Sequence, residues 1–176
     1  ISWDLAQSKT EHADRCAGQV WTRRGSDCYI RHGVAQQMDF HGACLSIMAM
    51  HEAYPHADIV IESHAWGPAA MVFLREHGIP RVQLWDPKRW GSKEQRVSMA
   101  AAYMAAGNIY IPDYSREERW IPDLVTEWVR FPAGVNDDQV DAMSQAVIWL
   151  YRQMDRGATG GFSAGKPARR GWATHA

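Results

Sequence analysis

The stretch Ala57-Asp58-Ile59-Val60-Ile61-Glu62-Ser63 decides the fold. Its three consecutive β-branched apolar residues are too few for a helix and have no polar face. They predict a strand over 57–61 buried on both sides, as in a parallel sheet. Glu62 follows at once, just beyond the carboxyl end of that strand, where open α/β sheets place their ligands. Gly67 lets the chain turn sharply into a helix over 67–77, with Pro68 close to its start and Gly78 just past its end.

Working outward, the same grammar covers the chain. Residues 1–6 read as a buried strand, and 17–23 with 27–34 as a hairpin turned at Arg24-Gly25-Ser26-Asp27. Phe40, Cys44, Leu45, Met48 and Ala49 recur at helical spacing over 38–54, and Pro55 follows. A strand over 81–85, a helix over 92–106 stopped by Gly107-Asn108, and a short extended piece over 108–112 come next. A helix over 115–130, broken or restarted at Pro122, and a helix over 137–155 complete the order. A three-strand antiparallel meander followed by βαβ units makes an α/β fold, a mixed central sheet with helices on both faces.

At 176 residues this is one domain, with a core formed by ordinary shares of apolar (46%) and charged (22%) residues. We place that domain at 1–156 and a Gly/Arg-rich tail at 157–176, whose Lys166, Arg169 and Arg170 suit a solvated terminus or a phosphate backbone. The net charge of −1 advertises no polyanionic partner, so any nucleic-acid contact must come from a local patch. Lys88, Arg89, Lys93 and Arg96 are the densest such patch. Cys16, Cys28 and Cys44 form no CxxC pair and suit a reducing compartment. No apolar run approaches the roughly 20 residues of a membrane helix, and the opening does not read as a signal peptide, so none is expected. The opening at Ile1 without Met reads as a piece cut from a longer chain. Of nine tryptophans, Trp66, Trp85 and Trp90 flank the candidate loops, where stacking on a base is one use and packing the other.

Three acidic stations carry the chemistry. Asp4 ends the apolar opening Ile1-Ser2-Trp3-Asp4-Leu5, where an ionised side chain is costly unless paired or metal-bound. Glu62 is the second, with His64 nearby as ligand, proton shuttle or plain loop residue. The third is Asn136-Asp137-Asp138-Gln139-Val140-Asp141 at the start of the last helix. Asn136 with Gln139 resembles a capping box, and the helix dipole welcomes one Asp there. Three acids in five positions repel one another, and bound cations would remove that repulsion. With the stripe Val140, Met143, Val147 and Leu150 facing inward, the helical wheel puts Asp137 nearest its edge, Asp141 next and Asp138 farthest. Hard cations such as Mg²⁺ or Mn²⁺ take oxygen ligands, and a pair of them stabilises both oxygens in phosphodiester cleavage.

These segments together resemble the C-terminal nuclease domain of tailed-phage terminase large subunits, which have the ribonuclease H-like fold. Ser2-Trp3-Asp4-Leu5-Ala6, Val20-Trp21, Tyr29-Ile30, Ile61-Glu62, Gly91-Ser92-Lys93-Glu94-Gln95-Arg96, Gly107-Asn108-Ile109-Tyr110-Ile111-Pro112 and Asn136 to Ala142 carry the likeness, over about residues 1–152. The resemblance implies an endonuclease that cuts concatemeric viral DNA during packaging in the host cytoplasm. It implies two divalent ions, Mg²⁺ or Mn²⁺, held by Asp4, Glu62 and Asp138, with Asp137 auxiliary and Asp141 an additional or supporting ligand. One ion would lie between Asp4 and a late-helix Asp, the other between Asp4 and Glu62, leaving a 5′-phosphate and a 3′-hydroxyl. Its implied partners are double-stranded DNA, the subunit's own ATPase domain, the small terminase subunit and the portal. No GxxxxGK[ST] occurs here, so the ATPase is expected to be absent from this chain. Ser63-His64 and Asn136 depart from the acid-Lys and His that family members often carry at those places. A Holliday-junction resolvase of the same fold, using the late pair Asp138 and Asp141, and a non-catalytic module binding DNA or the portal are the alternatives.

Overall fold

The computed structural model describes residues 1–5, 15–113 and 120–157, with backbone alone for 153–157. The tail expected beyond Gly157, Ala6 of the first strand, and 115–119 of the helix expected over 115–130 lie outside the described residues. Six strands form one sheet: β1 (Ser2–Asp4), β2 (Cys16–Arg24), β3 (Asp27–Gln36), β4 (Ile59–Glu62), β5 (Val82–Trp85) and β6 (Ile109–Tyr110). Five helices accompany them: α1 (Phe40–Ala53), α2 (Gly67–Glu76), α3 (Lys93–Ala105), α4 (Trp120–Arg130) and α5 (Asp138–Gly157).

The sheet order is β5-β4-β1-β2-β3-β6. β1, β2 and β3 pair antiparallel, whereas β4 pairs parallel with β1 and β5, and β6 parallel with β3. This is the mixed sheet anticipated from the element order. A 3-10 turn over Pro87–Trp90, unforeseen in the sequence, starts at Asp86, whose carboxylate accepts from the Lys88 amide.

Alternation along the strands divides the core into layers. Trp3, Ile59, Ile61, Cys16 and Val20 pack with Ile47 and Cys44 of α1 and Leu74 of α2 on one face. Trp21, Cys28 and Ile30 pack with Ala100 of α3, Leu124 of α4 and Val140, Met143 and Val147 of α5 on the other. Gly18 explains how Trp3 fits: a Cβ there would collide with the indole ring, so only glycine lets β1's tryptophan lie flat on β2. The Trp3 indole is wholly buried, and its transfer from water contributes about 2–3 kcal/mol.

Within the described residues α4 runs unbroken through Pro122 from Trp120 to Arg130, so Pro122 does not break it. Ser92 begins α3 with a full capping box, Ser92 and Gln95 exchanging side-chain and backbone bonds. Among the described residues no helix is long and apolar enough to cross a membrane.

Candidate metal centre

The sheet register puts Asp4 and Glu62 side by side. Trp3 stands opposite Ile61, so Asp4 and Glu62 are each one residue further along parallel strands, whose backbones in such a sheet run roughly 4.8 Å apart. The face of Ser2 is the face of Asp4, and α5 lies across it.

Buried polar bonds fix where α5 sits. The Ser2 hydroxyl donates to the Ala142 carbonyl at 2.7 Å, and Gln19 Nε2 donates to the Gln139 carbonyl at 2.9 Å. Gln145 Nε2 lies 2.9 Å from Ser2 Oγ, 3.0 Å from the Val60 carbonyl and 3.3 Å from the Trp3 carbonyl. Two amide hydrogens thus serve three acceptors on β1 and β4. A slip of the helix would strand these buried groups at about 1–3 kcal/mol each. Asp141 is one turn before Gln145, and Asp138 nearly one turn before that, which carries both toward Asp4.

Their charges meet. Asp4 is held well above the usual carboxylate range, by burial first and then by the charges of Asp141, Glu62 and Asp138. Glu62 is raised by burial and by Asp141, against the pull of Arg96, His64 and Lys93. Burial also raises Asp141, with Lys93 and Arg96 opposing. Asp138 is pushed up to about 6 by burial and by Glu127, with Arg15 opposing. Four carboxyls from three elements therefore share one field.

Basic side chains partly neutralise it. Lys93 Nζ reaches Asp137 Oδ2 at 2.7 Å and Asp141 Oδ2 at 2.6 Å, and Arg96 donates to Asp141 Oδ1 at 3.0 Å. Burial alone would lower the Lys93 pKa; its bonds to Asp137 and Asp141 reverse that and raise it. Arg15 bonds Glu127 and, at 3.4 Å, Asp138 Oδ2. As the side chains lie, no three His, Cys, Asp or Glu among the described residues are gathered tightly enough to hold an ion. The donor set nonetheless fits a hard cation: it is all carboxylate oxygen, and its members raise one another's pKa, a penalty that a divalent cation would relieve.

The loop after β4 is built around Glu62. Ala65 adopts φ of 51°, and Gly67 packs so closely under the Glu62 carbonyl that any Cβ there would collide with it. His64 Nδ1 stands 3.3 Å from Glu62 Oε1 and is partly exposed.

The proposed basic patch divides. Lys88 and Arg89 are exposed on the 3-10 turn, Arg89 pairing Asp86 at 3.2 Å. Lys93 and Arg96 instead turn to the acids. Trp85 and Trp90 stack on each other, 5.2 Å apart and 7° from parallel, with the Arg152 guanidinium 5.2 Å from the Trp90 ring; Trp66 meets Phe40 edge-on. These rings are engaged within the protein. Clefts of about 510 and 610 Å³ flank Trp90 and do not include the acids.

The capping box expected of Asn136 and Gln139 is not formed. α5 begins at Asp138, and Glu127 of α4 accepts from the Gln139 amide at 2.6 Å and from Gln139 Nε2 at 3.0 Å. The wheel order also fails. Asp137 precedes the helix, where the wheel has no meaning, and is the most exposed of the three, whereas Asp141 is buried. Glu127, Arg15, Gln19 and Gln145 went unrecognised in the sequence. Glu127 had a signal: it continues the buried stripe Ile121, Leu124 of α4, where a carboxylate needs a partner.

A mixed sheet in this order, with acids at the ends of neighbouring parallel strands and a helix returning across them, is the ribonuclease H-like architecture. The chain belongs to the family of terminase RNaseH-like domains, whose model matches residues 1–149. Among solved structures it is similar to the nuclease domain of the g2p large terminase from bacteriophage SPP1, a crystal structure with bound Mn. The two share 18% identity, a TM-score of 0.56, and 87% and 85% of their respective lengths, which shows the common fold. No curated protein sequence matches the chain.

Proposed function

We propose that this domain, residues 1–156, is a metal-dependent DNA endonuclease that cuts concatemeric viral DNA during genome packaging by two-metal phosphodiester hydrolysis. The observation that carries it is the convergence of Asp4, Glu62, Asp138 and Asp141 from β1, β4 and α5 into one field in a terminase-family fold. The manganese in the structural relative is consistent with it.

Asp4 is central to the site, because the other three carboxyls all act on it or beside it. With Glu62 it forms one ligand pair, and with Asp138 the other; Asp141 and Asp137 stand in support. Two bound Mg²⁺ or Mn²⁺ ions would supply Lewis acidity at the phosphate and lower the pKa of an attacking water. Gln145, Ser2 and Gln19 hold the two ligand pairs in register. Cations bound at the carboxylates would leave Lys93 free to meet a phosphate oxygen, and Lys88 and Arg89 can grip the backbone without reading sequence. Its substrate is double-stranded DNA. In the whole subunit, which works in the host cytoplasm, it meets an ATPase domain, the small terminase subunit and the portal.

Supercoiled-plasmid cleavage tests the proposal. Nicking and linearisation are expected in Mg²⁺ or Mn²⁺, none in EDTA, and loss by 10²-fold or more, on the order of one ligand's contribution, in Asp4→Asn, Glu62→Gln and Asp138→Asn. Folded wild-type protein that binds plasmid in both metals without cutting it refutes the nuclease.

A further inference from the structure

Glu127 is a buried carboxylate on a helix that carries no other acid of the site, and nothing in the proposed reaction uses it. It accepts from the Gln139 amide at 2.6 Å, from Gln139 Nε2 at 3.0 Å and from the Arg15 guanidinium. The first of these bonds does the work of an N-cap, satisfying an amide at the start of α5 from outside the helix. The third decides where Arg15 spends its charge. Its close partner is Glu127, and only its Nε lies toward Asp138, at a marginal 3.4 Å.

An arginine between two carboxylates prefers whichever offers the better fork, and each pairing takes oxygen lone pairs out of use. Asp138 fully claimed by Arg15 would have no oxygen free for a cation. We propose that Glu127 is a positioning residue that anchors Arg15 away from Asp138 and so reserves Asp138 as a metal ligand. The inference rests on the reading that Asp138 ligates a divalent cation. It makes Glu127 a competitor for the guanidinium, not a ligand. Groups of this kind, one bond behind a ligand, change metal affinity about 10–100-fold when removed.

The substitution Glu127→Gln separates the two roles. Its amide oxygen can still accept from the Gln139 amide, so the cap survives, but its charge is gone and its NH₂ replaces the oxygen that served both Arg15 and Gln139 Nε2. Arg15 then collapses onto Asp138. Mn²⁺ affinity, read by electron paramagnetic resonance of free ion together with the unfolding temperature, should weaken by about 10-fold or more in Glu127→Gln. Arg15→Met alone should not weaken it, and Arg15→Met combined with Glu127→Gln should restore it to within about 3-fold of wild type, an error-sized residue on the same scale.

A purely structural Glu127 predicts the opposite for the double variant, because removing Arg15 cannot rebuild a helix start. Unchanged affinity in Glu127→Gln, or no rescue by Arg15→Met, overturns the inference while leaving the metal reading intact. Wild-type protein that binds no Mn²⁺, or binds it equally well as Asp4→Asn, overturns the metal reading and this inference with it.

Discussion

Replacing Asp138 by Asn should make the metal-free protein more stable, although it removes a ligand. The Asp138 carboxyl lies at about 6 in the fold against an ordinary 3.8, because burial and Glu127 disfavour its charge more than Arg15 favours it. A folded pKa above the unfolded one means that the folded state takes up the proton more readily. The penalty of the charged form is therefore absent below about pH 4, grows as pH rises toward about 6, and stands in full above that. At about 1.4 kcal/mol per pH unit the full penalty is on the order of 3 kcal/mol. The amide is never charged and escapes it, losing only the long 3.4 Å contact with Arg15. A net gain of about 1–3 kcal/mol corresponds to a rise of roughly 3–10 °C in unfolding temperature for a chain of this size.

Thermal unfolding in EDTA across pH 4 to 8 measures it, wild type against Asp138→Asn. The difference should vanish near pH 4 and level off above about pH 6. Mn²⁺ at about 1,000 times its Kd should reverse the order, since it adds about 4.1 kcal/mol to the protein that keeps the site. An Asp138→Asn protein less stable than wild type in EDTA at pH 8, or a difference that does not depend on pH, would show that Asp138 is not a strained anion and refute the reasoning.

Other perturbations separate the parts of the site. Lys93→Met unpairs Asp137 and leaves Asp141 to Arg96 alone, so it should cost about 1–3 kcal/mol in EDTA, and Mn²⁺ should close most of that gap in a melting experiment. Gly67→Ala forces a methyl group into the Glu62 carbonyl and should lower stability by about 2 kcal/mol or more while displacing Glu62, seen as lost unfolding temperature and weakened Mn²⁺ binding together. Gln145→Leu preserves bulk but strands the acceptors on β1 and β4; a loss of about 1–3 kcal/mol in urea unfolding is expected, and an unchanged midpoint would remove Gln145 as the fastener of α5.

The sheet was legible because its signals are local. Ile59-Val60-Ile61 cannot bury both faces except between parallel neighbours, and Gly25 turns the hairpin with a φ of 62°. The acids were legible as stations because an anion at a strand end or in a first turn is locally conspicuous. What the sequence hid is set by partners far along the chain. Glu127 and Gln139 meet across 12 residues, Arg15 and Glu127 across 112, and Gln145 and Ser2 across 143. No periodicity encodes such pairings. The failed capping box shows the same limit: Asn136 and Gln139 have the right spacing, but Glu127 from another helix outcompetes the local cap. The basic cluster divides for a related reason, since α3's first turn docks against α5 and draws Lys93 and Arg96 onto Asp141, while Lys88 and Arg89 stay exposed.

Charge balance ties these observations to the order of events at the site. Among the described residues, Asp4, Glu62, Asp137, Asp138, Asp141 and Glu127 face Lys93, Arg96 and Arg15, with His64 beside Glu62. A phosphodiester approaching that surface meets net negative charge in a partly buried, weakly screened setting, where repulsion is large. The chain as a whole, at −1, offers no compensating field. On the proposed nuclease reading DNA is expected to enter only with cations already present or arriving with it, and a cation on Asp141 or Asp137 would free the Lys93 ammonium to face the phosphate. Tight DNA binding in EDTA by the wild-type domain at physiological salt, measured by fluorescence anisotropy, would contradict this order. A dependence on Mn²⁺ or Ca²⁺ that disappears in Asp4→Asn would support it, because it links the repulsion to the carboxyl on which Asp141, Glu62 and Asp138 all press.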